Sequence, residues 1–206
     1  MRKKILTFVM SAFMAAAHAQ SVSDMFVTMP DSMFPYLAKE QRGELVNLKK
    51  VDPSVPAELR SIFDGTVALT SSDDDLMTLM VDSAVVMELA RLGSVTGDSV
   101  YCLLRTVRTP EWDTSASIYN KEWIKVEDIS FDDVELVHRP DTMTENKFQE
   151  LQNLIEFRMV EAHFEGKDVV ALRQSLPLTT KEERKRLNDI LMQRKLKWDG
   201  KRFNIY

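Results

Sequence analysis

The 206-residue chain has one cysteine, three histidines and six glycines, and each scarcity excludes a class of chemistry. A lone thiol closes no internal disulfide, so the body must stand on its apolar core. Cys102 lies in the apolar run Ser99-Val100-Tyr101-Cys102-Leu103-Leu104, where a buried core residue is expected rather than a reactive thiol. His138 and His163 are far from each other and from Cys102 in sequence, so no metal-ligand spacing forms and no metal is expected. The acidic runs Ser71-Ser72-Asp73-Asp74-Asp75 and Asp128 to Glu135 lack the glycine and distal glutamate of a calcium loop, and read as solvated turns. With so few glycines there is no phosphate-cradling loop, and no Gly-x-Ser-x-Gly stands anywhere. No catalytic set and no cofactor is therefore expected.

The first nineteen residues carry the strongest signal that is present. Met1-Arg2-Lys3-Lys4 is a basic start, Ile5 to Ala17 an apolar run broken only by Thr7 and Ser11, and Ala17-His18-Ala19 supplies small residues for signal peptidase. That run is too short to span hydrocarbon, so it reads as a cleaved secretory signal. Cleavage near Ala19-Gln20 is expected to leave a periplasmic or secreted product without a transmembrane segment. No cysteine adjoins the cut, so no lipid anchor is expected. Removing Arg2, Lys3 and Lys4 from 27 basic residues leaves 24 against 32 acidic, a net charge of −8. Such a surface repels a phosphate backbone, so nucleic acid is not an expected partner.

Periodicity divides the rest. Residues 20–65 read as an N-terminal helical segment after the signal peptide at 1–19, with a helix over Met29 to Lys50 and a short helical turn over Ala57 to Phe63. Residues 66–137 read as an antiparallel meander, because Val-, Leu- and Met-rich runs alternate with turn residues. Within it, Val100 to Val107 is apolar at both parities, as a strand covered on two faces would be. Residues 138–206 read as an α+β portion packed on the meander, with helix, hairpin, helix and hairpin in that order. Thr142 with Glu145, and Thr179 with Glu182 or Thr180 with Glu183, have capping-box spacing. At the C-terminus Asp199-Gly200 reads as a two-residue turn that sets Leu196 across from Phe203, and Lys197 across from Arg202. The expected class is α+β: an antiparallel β-meander with an N-terminal helix and a C-terminal helix-hairpin-helix-hairpin portion.

Two readings of function remain. Thr109-Pro110-Glu111-Trp112-Asp113-Thr114 sets an indole among acidic and hydroxyl groups, an arrangement that can stack on a sugar face. Lys197 and Arg202 place two cations on one face of the last hairpin. Trp112, Glu111, Asp113, Lys197 and Arg202 are thus the candidate ligand-binding residues of a non-enzymatic module for an unknown protein or glycan of the cell envelope. The alternative is a small secreted hydrolase of glycans using carboxylates such as Asp73, Asp75 or Glu111, provided that two of them converge in one cleft.

Several landmarks also resemble one family. Met29-Pro30-Asp31-Ser32 precedes Pro35-Tyr36-Leu37, and Asp98-Ser99-Val100 leads to Arg105-Thr106 and Pro110. Trp123, Pro140-Asp141 and the closing Trp198-Asp199-Gly200-Lys201-Arg202-Phe203 complete the set. Together they resemble a family of small exported bacterial proteins known only as a domain of unknown function. The resemblance implies export and one shared architecture across nearly the whole mature chain, and no activity.

Overall fold

Two antiparallel sheets dominate the computed structural model, which describes residues 20–206; the expected signal peptide lies outside the described residues. The chain enters through two short helices, α1 (Val22–Thr28) and α2 (Lys39–Val51). A seven-stranded sheet follows in sequence order. Its strands are β1 (Ala57–Arg60), β2 (Thr66–Ser72), β3 (Leu76–Val81), β4 (Val85–Gly93), β5 (Ser99–Arg108), β6 (Trp112–Tyr119) and β7 (Lys125–Ile129). Helix α3 (Glu145–Gln152), strands β8 (Met159–Phe164) and β9 (Val169–Ser175), helix α4 (Lys181–Leu187) and strands β10 (Arg194–Trp198) and β11 (Phe203–Ile205) complete the chain. The last four strands form a second sheet in the order β11-β10-β9-β8. No helix among the described residues is long and apolar enough to cross a membrane.

This corrects the expected α+β class. The described residues are mostly antiparallel β, with eleven strands and only four short helices among them, 19% helical. The C-terminal portion is not a helix-hairpin assembly, because its two hairpins join through β9 and β10 into one continuous sheet. Helices α3 and α4 form no layer of their own; Phe148, Leu151, Leu187 and Ile190 gather with Leu176 into a small satellite core. The N-terminal segment differs as well. A helix forms at Val22–Thr28, ahead of the Met29 start expected for the helix of this segment, nucleated by a capping box between Ser21 and Asp24. Pro30 to Tyr36 turns instead of continuing a helix, and Ala57–Arg60 is a strand paired with β2.

Strand parity explains the packing. Met77, Leu79, Met87, Leu89, Tyr101 and Leu103 face the two N-terminal helices, meeting Phe26, Phe34 and Leu45. The intervening Ala90, Leu92, Cys102, Leu104, Ala116 and Ile118 face the second sheet, against Val160, Ala162, Val170 and Leu172. Strands β4 and β5 are buried on both faces, so their apolar residues run continuously.

A buried lysine fastens the first layer. Lys49, at the end of α2, donates from Nζ to the carbonyl oxygens of Pro53 (3.0 Å), Val55 (2.8 Å) and Thr70 (2.8 Å). Thr70 is the residue at which the β2–β3 register shifts, and a bulge leaves such a carbonyl without a ladder partner.

The last hairpin has a longer loop than Asp199-Gly200 alone implies. Trp198 pairs with Phe203, Lys197 with Asn204 and Leu196 with Ile205, so Lys197 does not face Arg202. Asp199 accepts the backbone N–H of Lys201 and of Arg202, both at 2.8 Å, which spreads the turn over four residues. Gly200 has φ +96°, and a Cβ there would lie 2.9 Å from Val95 Cγ1. Gly200→Ala should therefore lower stability in urea unfolding by about 1–2 kcal/mol. Gly43→Ala, mid-helix with nothing within 4 Å of the added carbon, should raise it by about 0.5–1 kcal/mol. A gain with Gly200→Ala would refute the first account, and a loss with Gly43→Ala the second.

Candidate functional site

Two open sheets have four edges, and each exposes backbone donors and acceptors unless something seals it. The β8 edge is sealed by side chains of the first sheet. Asp113 Oδ1 accepts the N–H of Val160 at 3.1 Å, Thr114 Oγ1 that of Ala162 at 2.9 Å, and Glu88 Oε2 that of Phe164 at 3.2 Å. The β1 edge packs beside α2 and carries Glu58 and Arg60. The β7 edge carries Lys125, Glu127 and Asp128, and a register shift breaks its pairing with β6. The β11 edge, Phe-Asn-Ile, has no charge, no proline and no bulge.

A cleft of about 470 Å³ opens between β7 and β11. Ile129, Val134, Leu196, Trp198 and Phe203 make its apolar floor. Glu127, Asp128, Asp133 and Arg202 stand around it. The floor is rigid: Trp198 meets Phe203 edge-on with centroids 5.2 Å apart, and its Nε1 donates to Gly93 O at 2.7 Å. Val95 N donates to Gly200 O at 3.0 Å, tying the β4–β5 turn to the same hairpin. Asp128 accepts from Ser117 Oγ at 2.6 Å and pairs with Lys125 at 2.9 Å; the serine and then the lysine hold its carboxyl below the usual range.

The sequence-predicted residues divide among three places. Arg202 reaches the cleft. Lys197 lies on the other face of β10, 3.9 Å from Asp168 and with its ammonium 5.4 Å from the centre of the Tyr206 ring. Glu111, Trp112 and Asp113 sit at the start of β6. There Glu111 pairs with Arg184 at 2.6 Å, Asp113 caps the β8 edge, and Ser175 Oγ donates to Trp112 O at 2.5 Å. The Arg108 guanidinium covers the Trp112 ring at 5.7 Å. The 7-residue β9 separates that end from the β10–β11 turn, a span of roughly 20 Å at ~3.3 Å per residue.

The carboxylates weighed for hydrolysis are each engaged locally. Asp73 Oδ1 accepts the N–H of Asp75 at 2.7 Å and of Leu76 at 2.8 Å. Asp75 pairs with Arg91 at 2.6 Å and with Lys167 at 3.4 Å. Burial works to raise its pKa, but these two cations outweigh that and hold it below the carboxylate range. Glu111, in the segment leading into β6, is neutralised by a different cation. Among the described residues, the one carboxyl with a strongly raised pKa is Glu88, pushed to about 7 by burial between the sheets. Burial, with Glu88 nearby, also pushes up the Cys102 thiol, which is fully enclosed.

Trp198, Phe203, Glu127 and Asp133 were not among the site residues expected from the sequence, although Trp198 and Phe203 stand among the family's landmarks. A partial signal existed, since strand parity puts Leu196, Trp198 and Phe203 on one face of the last hairpin. Nothing in the sequence brings β7 beside β11.

A family model described as "Protein of unknown function (DUF3256)" matches residues 14–203. No curated protein matches the chain. A solved structure of a domain of an uncharacterized protein from Porphyromonas gingivalis W83 superposes with a TM-score of 0.71 at 20% identity, covering 91% of this chain and 100% of that one. At that identity the likeness speaks for the fold alone.

Proposed function

We propose, from the premise that the chain belongs to the DUF3256 family, that the protein is an exported binding module of the cell envelope and that the β7–β11 cleft is its binding site. The observation that carries this reading is the cleft itself: an apolar, aromatic floor, a charged rim, and an unsealed strand along one wall. Apolar area with a few placed polar groups is what a recognition site needs. The carboxylates around it are arranged as a rim, with Asp128 already committed to Ser117 and Lys125.

The reading is supported on the export side by the basic start, the apolar run and the small residues that end at Ala19. Amino-terminal sequencing of protein recovered from a periplasmic fraction should begin at Gln20; cytosolic protein retaining Met1 would remove the envelope from the proposal. For the site, retention on an immobilised envelope fraction should fall about tenfold or more, equivalent to ~1.4 kcal/mol, with Ile205→Asp. That residue is 63% exposed, so the fold should tolerate the change. Trp112→Ala should leave retention unchanged. The reverse result, loss with Trp112→Ala and none with Ile205→Asp, would move the site to the start of β6.

A further inference from the structure

We infer that the occupant of the cleft is an extended polypeptide segment that adds as a strand beside β11 and turns long basic side chains inward. The inference rests on the cleft being the binding site, and goes further by naming what fills it. Backbone parity is the first support. Tyr206 N donates to Lys195 O at 2.9 Å and Asp199 N to Arg202 O at 3.1 Å, so residues 202, 204 and 206 are the ones whose backbone faces β10. Phe203 and Ile205 therefore turn their N–H and C=O groups away from β10. Those groups are the ladder an added strand needs, on the one edge of the four that carries no charge, bulge or covering element.

Side-chain parity supplies the second support. Phe203 and Ile205 lie opposite Trp198 and Leu196, and Leu196 belongs to the core between the sheets. A strand beside β11 would turn alternate side chains over the same apolar floor. The rim decides which side chains those are. Glu127 and Asp133 have no ion-pair partner among the described residues, whereas Arg202 lies beside the Asp199 carboxylate. The uncompensated charge of the rim is therefore negative. Lysine or arginine fits both parts, with its stem along the floor and its head at Glu127 or Asp133.

The test is fluorescence anisotropy with labelled, end-blocked octapeptides. The parent alternates arginine with threonine. A second peptide has glutamate for arginine, and two more are N-methylated on all arginines or on all threonines. The parent should bind, and the glutamate peptide should bind at least about tenfold more weakly. One N-methylated peptide should lose binding and the other keep it, because only alternate amides of a strand face its neighbour. Ile205→Pro removes an N–H that β10 does not use; it should leave thermal unfolding unchanged and weaken the parent at least about tenfold. Glu127→Gln with Asp133→Asn should weaken the parent and narrow its advantage over the glutamate peptide, because the repulsion of that peptide goes with the two charges. Equal binding or equal loss by the two N-methylated peptides, or undiminished binding to Ile205→Pro, overturns strand addition while leaving the cleft as a site. Equal affinity for the glutamate peptide overturns the basic partner. Binding of neutral oligosaccharides but no peptide, abolished by Ile205→Asp, makes the occupant a glycan in the same cleft. If no peptide or oligosaccharide binds, the inference and the reading of the cleft fall together.

Discussion

Lys49→Met should cost about 4 kcal/mol of unfolding free energy. Lys49 is 5% exposed and the three acceptors of its ammonium are all backbone carbonyls. Hydrogen bonds to a charged group are each worth about 1.5–3 kcal/mol, and an orphaned buried acceptor carries its own desolvation penalty. Contributions of neighbouring bonds do not simply add, which keeps the expected total near the lower end of the sum. Methionine keeps most of the stem's volume, so the measurement reports the lost donors rather than a cavity. Lys50, exposed on the next position of α2, is the comparison; Lys50→Met should change stability by no more than about 0.5 kcal/mol. A loss below about 1 kcal/mol for Lys49→Met in urea unfolding would mean that water replaces the ammonium and that the bulge at Thr70 does not depend on it.

Glu88→Gln should stabilise the protein above neutral pH and do little under mildly acidic conditions. Burial raises the folded-state pKa of Glu88 from 4.5 to about 7. Between those values the folded protein holds a proton that the unfolded chain has released, so stability falls as pH rises. The loss begins near pH 4.5 and is complete a little above pH 7. At ~1.36 kcal/mol per pH unit, it amounts to about 3 kcal/mol. Glutamine is isosteric, can accept the Phe164 N–H as Glu88 does at 3.2 Å, and carries no charge at any pH. The stability difference between variant and parent should therefore grow between pH 5 and pH 8. Asp75 does not blur the comparison: its lowered pKa gives a dependence of opposite sign, confined to pH below the ordinary carboxylate range. A difference that stays flat with pH would show that Glu88 is ionised in the fold throughout.

Glu88 and Lys49 show where reading along the chain stops. Both stand in stretches whose pattern is legible: Glu88 in an apolar strand and Lys49 at the end of a helix. A charged residue there reads as solvent-facing. Only the second sheet above β4, and the return of residues 53 to 70 beneath α2, turn them into buried anchors. Asp113 is similar. Its acidic neighbour Glu111 and the indole of Trp112 made it look like part of a ligand site, yet it accepts the Val160 N–H across 47 residues of sequence. Periodicity records which face a side chain takes, and carries nothing about which segment arrives to meet it.

The same limit separated the class from its parts. Strand runs in the middle of the chain, the Thr180–Glu183 capping box and a C-terminal hairpin around Gly200 are local properties, and local chemistry is enough to specify them. The pairing of the two C-terminal hairpins is not local. It joins Leu172 to Arg194 and Val169 to Lys197, and it converts what reads as helices alternating with hairpins into a mostly β protein.

By itself, then, the sequence determined the cysteine-poor, acidic composition, the strand-rich middle, the turn chemistry and the family's landmark residues, because these depend on residue type and short spacing. Tertiary structure alone decided that β7 and β11 border one cleft, that side chains of the first sheet seal the β8 edge while the β11 edge stays open, and that a lysine and a glutamate are buried. Those outcomes depend on contacts between segments tens of residues apart, and the free energy that selects them arises only when the two sheets close on a shared core.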